Sequence, residues 1–485
     1  MPKALGRGLN QRGEHLPCPD LLSLSERRLS MFRKFSIAEA RNLIALAIPV
    51  YLGQIAQIAM SFVDTVVAGQ SSAVDMAAVA VATSFWIPGI MFGQGLIMAL
   101  TPLVAQSIGA GDRKQSAHFL RQGLWLAAAI SALLMALFSV IAHTLPSWGT
   151  MDAVMARKTS EYLFAVLWGV PALMLFCVQR CFLEGHGQTR PAMVAGFIGL
   201  ALNIPLNIIF VFGKFGLPAM GAAGCGVATA ILFCFMAGSL VFFVRRVDPK
   251  ALRIESPRMA VLARVVRIGL PGAFAMLNEC AAFALIALLV APLGVVTVAG
   301  NQIAMNVSAF LWMCPFSIGS ASTIRVGTLL GAGDMHGARS ARRTALFMTL
   351  CLSCVLSVVV YFSRFHLASL YNSDPAVIQM AGLLLLCEVF YQFPDGIQTN
   401  TLCALRGWND TRAIFLISFL AYWVISLPLG WVLCMTDLLW PEPLGVLGFW
   451  IALNLGLSIA GLLYILRVRH LEAMPLDAMK KKIGR

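Results

Sequence analysis

Charge is scarce in this 485-residue chain: Asp, Glu, Lys and Arg make up 12% of it, against 59% hydrophobic residues. A soluble protein of this length needs far more charge to cover its surface, so a soluble globular fold is excluded. The twelve cysteines are scattered, and most lie inside apolar runs. One CxxC, Cys351 and Cys354, falls within "LFMTLCLSCVLSVVVYF" with no second Cys/His pair beside it. Two buried small hydrophobes are expected there, rather than a redox or zinc site. The seven histidines form no HExxH or similar pair, so no zinc-type centre and no resident cofactor is expected. No clustered nucleophile and base is visible either, and the chain reads as a non-enzyme. Residues 1–41 are polar and basic without an apolar h-region, so no signal peptide is expected there.

What the chain has is apolar length. Twelve segments long enough to cross a bilayer are expected at 43–66, 77–105, 123–145, 161–183, 192–212, 222–244, 268–291, 298–324, 344–363, 376–404, 413–435 and 445–466. The net charge of +14 is carried at 1–41, 113–121, 245–267, 339–343 and 467–485, between or beyond these runs. Such placement reads as cytoplasmic loops, not as a nucleic-acid face. With the N-terminus inside, the outer loops hold only Arg157, Lys158, Lys214 and Arg364, so both termini are expected to be cytoplasmic. Trp148, Trp168 and Trp440 suit interfacial anchoring.

The two halves repeat. "GAGD" occurs at 109–112 and 331–334, a shift of 222. The same shift carries Pro49 onto Pro271, each read as opening an apolar helix, and "EGHGQTR" (184–190) onto "RGWNDTR" (406–412). With two more residues inserted, "GAAG" (221–224) falls on "GVLG" (445–448). The expected architecture is an all-α polytopic membrane protein of twelve transmembrane helices, in two pseudo-symmetric six-helix bundles flanking a V-shaped cleft. Its parts are a basic tail (1–40), a first lobe (41–246), a connector (247–266), a second lobe (267–468) and a basic tail (469–485).

A carboxylate deep in the bilayer costs at least ~2.5–3.5 kcal/mol, so intramembrane acids are functional candidates. Four qualify: Asp64, Glu279, Glu388 and Asp395. The 222 shift places Asp64 on Ile286, Glu279 on Gln57 and Asp395 on Leu173, so the fold is duplicated and the acids are not. Gln54, Gln57, Ser61 and Asp64 form one polar stripe, which Asn203 and Asn207 (i, i+4) are placed to meet. Glu388, Tyr391 and Asp395 share a helix face in the second half. Asn278 and Gln302 with Asn306 offer further oxygen ligands. Hard oxygen donors around carboxylates suit Na⁺ or a proton better than a soft metal. The other reading of each acid is hydrogen-bonded glue between helices.

"IPVYLGQIAQIAMSFVDTVVAG", "GLIMALTPLVAQSIGAGD", "GLALNIPLNIIFVFGKFG", "STIRVGTLLGAGD" and "LRGWNDT" resemble the MATE (multidrug and toxic compound extrusion) family, NorM branch, over about residues 36–470. The resemblance implies an antiporter that exports organic cations in exchange for Na⁺ or H⁺. It implies a protonation or ion-linked site at Asp64 with Asn203 and Asn207 nearby. It further implies a cation site at Glu279, Asp395 and Tyr391 in the second lobe, a candidate Na⁺ site, with Gln302 near that cavity. Pro394 and the extra acid Glu388 depart from the family pattern. Expected partners are small cationic substrates and the lipid bilayer. The expected setting is a bacterial inner membrane, with the protein a monomer. The alternative is a flippase of lipid-linked saccharides in the same superfamily, which would call for a strongly cationic cleft. Here the intramembrane groups are acids.

Overall fold

The computed structural model describes residues 36–149, 151–253, 255–439 and 441–475. Most of the N-terminal tail, Trp440 and the end of the C-terminal tail lie outside the described residues. The described chain is helical throughout, without strands. In order the helices are α1 (Ile37–Ser71), α2 (Ala73–Gly109), α3 (Arg113–Ser147), α4 (Ala153–Leu167 and Val170–Gly185), α5 (Arg190–Phe212) and α6 (Ala222–Val247) in the first half. The second half holds α7 (Met259–Leu293), α8 (Val295–Gly331), α9 (Met335–Ser369), α10 (Pro375–Gly407), α11 (Thr411–Met435) and α12 (Val446–Glu472). Eleven are individually long and apolar enough to span a bilayer, and α4 makes a twelfth when its two segments, bent by 47°, count as one. The bend has a local cause: Pro171 has no N–H to return to Leu167.

The repeat is visible in the backbone. Gly111 and Gly333 take φ +78° and +79°, Gly187 and Asn409 take +73° and +58°, and Gly221 and Gly445 take +54° and +58°. After each GAGD turn an aspartate caps the next helix: Asp112 accepts from the Gln115 N–H (2.9 Å) and Asp334 from that of Gly337 (2.8 Å). Pro49 and Pro271 do not open their helices. Both lie inside, because Ser36 caps α1 well before Pro49 and α7 begins at Met259. A mixed polar stretch precedes each proline, and helical hydrogen bonding continues through it. The segment linking α6 to α7 is therefore 248–258, shorter than the 247–266 read from composition.

The halves meet near the face that carries most of the basic residues, and they do so reciprocally. A Cβ on Gly109 would stand 1.8 Å from the Thr328 carbonyl oxygen, and one on Gly331 would stand 2.1 Å from that of Gln106. Residues 106 and 328, like 109 and 331, are related by the 222 shift, so a pseudo-two-fold axis runs between α2 and α8. Gln106 donates to the Gly407 carbonyl (2.8 Å) and accepts from Asn409 (2.9 Å). Arg325 on α8 grips Glu39 on α1 through two bonds of 2.7 and 2.8 Å. Deeper in the membrane, Phe92 meets Phe274 edge-on at 5.5 Å. Farther along, Phe62 of α1 and Phe310 of α8 are exposed.

The 248–258 link is stapled to α3. Glu255 binds His118 (3.0 Å) and Arg121 (3.1 Å), and Trp125 donates to the Glu255 carbonyl (2.7 Å). The His118 bond, then Arg121, hold the Glu255 carboxyl below its ordinary range. A depressed carboxylate contributes stability that is present at neutral pH and lost as pH falls through its lowered value.

Cys351 and Cys354 are not buried: both are free and exposed on the outer face of α9, toward lipid. The sequence pattern does not separate a core face from a lipid face, because both are apolar.

Two outcomes follow. Gly331→Val forces atoms into the Gln106 carbonyl at a cost of about 3 kcal/mol. In a cysteine-free background, a cysteine at Ser107, buried here, is then expected to gain reactivity with an impermeant thiol reagent. Glu255→Gln is expected to speed proteolysis within 248–258 at pH 7.5, with the difference from wild type lost only at acid pH, below the ordinary carboxylate range.

Candidate functional site

In the first half the sequence places three helices around one carboxylate. Asp64 of α1 accepts from both α5 asparagines on the same oxygen, Asn203 Nδ2 at 2.9 Å and Asn207 Nδ2 at 2.7 Å. The i, i+4 spacing makes this possible, since it stacks the two amides on one face of α5. The second carboxylate oxygen accepts from Thr229 Oγ1 of α6 (3.3 Å), and Cys225 Sγ approaches the Asp64 carbonyl (3.8 Å). Both asparagines are buried, and their own Oδ1 atoms have no hydrogen-bond partner. With their N–H groups committed to Asp64, they present bare carbonyl oxygens beside a carboxylate. That is a donor set for a hard cation. Gln57 does not reach Asp64 by any hydrogen bond among the described residues. With Gln54 it lines a small cavity of about 30 Å³ beside Arg180 and Glu184.

The second half gathers its acids on α7 and α10. Glu388, Tyr391 and Asp395 are buried along one face of α10, as their spacing requires. Glu388 accepts from Gln392 one turn on, and its other oxygen has no partner. Asp395 meets Thr399 at 3.5 Å, and it lies within electrostatic reach of Glu279 and Glu388. Tyr391 packs edge-on against Trp450 (5.9 Å). Glu279 accepts from the Tyr422 hydroxyl at 2.8 Å, and Trp423 donates to the Asn278 carbonyl at 3.2 Å. Gln302 is exposed, and among the described residues its side chain bonds Asn306 (3.4 Å) rather than any of these acids. Among the described residues no three His, Cys, Asp or Glu side chains stand close enough to hold a metal ion. A cation here would need Tyr391, the amides and mobile partners besides Glu279 and Asp395.

Thr229 and Tyr422 belong to the site and were not read from the sequence. Tyr422 arrives through a π-helical stretch, Leu420–Ser426, inside α11. Pro428, one residue beyond it, has no N–H for the Val424 carbonyl, which favours the wider turn. Pro428 is the signal that could have found it.

The acids differ in one further respect. Elsewhere carboxylates pair with bases: Asp75 with Lys158, Glu184 with Arg180, Glu39 with Arg325, Asp410 with Arg467, Glu472 with Arg342. Asp64, Glu279, Glu388 and Asp395 form no ion pair among the described residues, and their bonds come from neutral side chains.

The MatE family model matches residues 49–209 and 271–432, one stretch in each half. The chain belongs to the MATE family. It is accordingly a transporter, not an enzyme. Each matched stretch of this MATE chain begins at one of the repeated prolines. Its fold is similar to that of the eukaryotic MATE transporter AtDTX14 (TM-score 0.80, 20% identity, covering 92% of this chain and 98% of that one). It is likewise similar to the Vibrio cholerae MATE transporter VcmN in the bent form (TM-score 0.80, 19% identity, 92% and 98%). A MOP superfamily transporter from Pyrococcus furiosus has a TM-score of 0.77 at 20% identity, with 91% and 97% covered.

Asn207→Leu leaves one Asp64 oxygen with a single amide donor, a loss of about 1–2 kcal/mol. Tyr422→Phe removes the one hydroxyl on Glu279. Each is expected to weaken transport roughly five- to tenfold in KM with normal membrane levels, measured by initial rates in vesicles.

Proposed function

We propose that this MATE transporter is an antiporter that exports organic cations, such as drugs and dyes, in exchange for Na⁺ or H⁺. The observation that supports it is the set of four intramembrane carboxylates with neutral partners. Arg406 lies within electrostatic reach of Glu279 but does not pair with it, and a buried negative charge without an ion-paired base calls for a cation from outside the chain or a proton. Ionised, these acids attract a cationic substrate into a low-dielectric cleft. Loaded with Na⁺ or a proton, they lose that attraction and the substrate leaves. Coupling requires substrate and ion to compete for the acids or to bias the two conformations oppositely.

In this reading Asp64, with Asn203 and Asn207, is the switchable charge of the first lobe. Glu279 and Asp395, with Tyr391, hold the ion in the second. The acids are not repeated between the lobes, so the lobes divide the work. The basic face, with both termini, is cytoplasmic in a bacterial inner membrane, and the protein acts as a monomer.

The test is efflux of a fluorescent cation from proteoliposomes, with a Na⁺ gradient and a pH gradient imposed separately. One gradient is expected to drive efflux in wild type. Asp395→Asn is expected to abolish that drive while the protein stays in the membrane. Unchanged efflux in Asp395→Asn would remove the second lobe from the coupling.

A further inference from the structure

A cavity of about 520 Å³ opens at the basic face of the first half, where the α4–α5 turn meets α1 and the end of α6. Its lining pairs two arginines, Arg190 and Arg246, with an apolar flank of Leu46 and Phe243. Both arginines are exposed, and neither forms an ion pair among the described residues. The Arg246 guanidinium sits 4.5 Å above the Phe242 ring, which fixes it at the end of α6.

The second half reveals what is missing from this place. There the same turn carries Asp410, bonded to Arg467 of α12 at 2.7 Å. By the repeat, Asp410 corresponds to Gln188 (shift 222) and Arg467 to Phe243 (shift 224). Both counterparts line the first-half cavity. One lobe thus closes the position with an internal ion pair. The other replaces the carboxylate by an amide and the arginine by a ring, leaving two further arginines around the gap without an anion.

We propose that this cavity binds the phosphate headgroup of an anionic lipid from the leaflet that meets the basic face. The two arginines take the phosphate, and Leu46 and Phe243 border the acyl chains. A free anion would satisfy the arginines but has no use for the apolar flank. Basic pockets between helices at the membrane surface are suited to lipid phosphates, each arginine contributing about a fivefold gain in affinity. Gln188 is exposed, so an aspartate can be supplied there without disturbing the core.

The experiment measures the melting temperature of the purified protein in neutral detergent on titration with phosphatidylglycerol, phosphatidylcholine or inorganic phosphate. Phosphatidylglycerol is expected to raise it in wild type, and the other two are not. Gln188→Asp, which restores the acid of the second lobe, and the double variant Arg190→Gln/Arg246→Gln are both expected to weaken the response. The loss should be roughly fivefold in half-saturating lipid for each charge altered. Arg412→Gln, the counterpart of Arg190 in the other lobe, should respond as wild type does. Equal shifts across all variants overturn the site. A shift with phosphatidylcholine or with inorganic phosphate equal to that with phosphatidylglycerol overturns the lipid assignment.

Discussion

Inside a bilayer a charge without a counter-charge is the costliest thing a helix can carry, and the layout of this protein follows from where that cost is accepted. Near the ends of the helices the rule is obeyed: Asp75, Glu184, Asp410 and Glu472 each face a basic side chain. Between those ends, four acids form no ion pair among the described residues and are held by amides and hydroxyls. Hydrogen bonds to neutral groups steady a carboxylate without cancelling its charge. The remaining imbalance is what a mobile cation or proton can settle, and the acids that carry it are not duplicated between the lobes.

The duplicated part is the frame. Two GAGD turns, two capping aspartates and three pairs of left-handed residues recur at equivalent places. The glycines at 109 and 331 let each lobe lay its backbone against the other's carbonyl. Such contact is reciprocal, so one separation of α2 from α8 breaks both halves of it together. The Glu39–Arg325 bond and the Gln106–Asn409 bond lie at the same end, making the joint compact and two-sided.

Much of this was legible in the sequence. Apolar length located the spans, the 222 shift gave the two bundles, and the i, i+4 asparagines pointed at Asp64. What escaped was set by relations between helices that leave no periodic trace. Thr229 reaches Asp64 from α6, and nothing in "GCGVATAI" marks it as polar for a purpose. Tyr422 depends on a wide turn whose only local sign is Pro428. Pro49 and Pro271 read as helix starts, yet Ser36 begins α1 well before Pro49 and α7 begins at Met259. Cys351 and Cys354 sit in an apolar run that faces outward, and hydropathy cannot tell lipid from core.

The wide turn at Leu420–Ser426 has a mechanical consequence. A π-helical stretch holds a surplus residue compared with α-helix of the same length. Relaxing it to α geometry would turn the portion of α11 beyond it by about 100°, one residue's rotation, while the far end stays fixed. Tyr422 would then swing off Glu279 and another side chain would face the acid. The helix thus carries a slack of one residue right beside the Glu279 carboxylate.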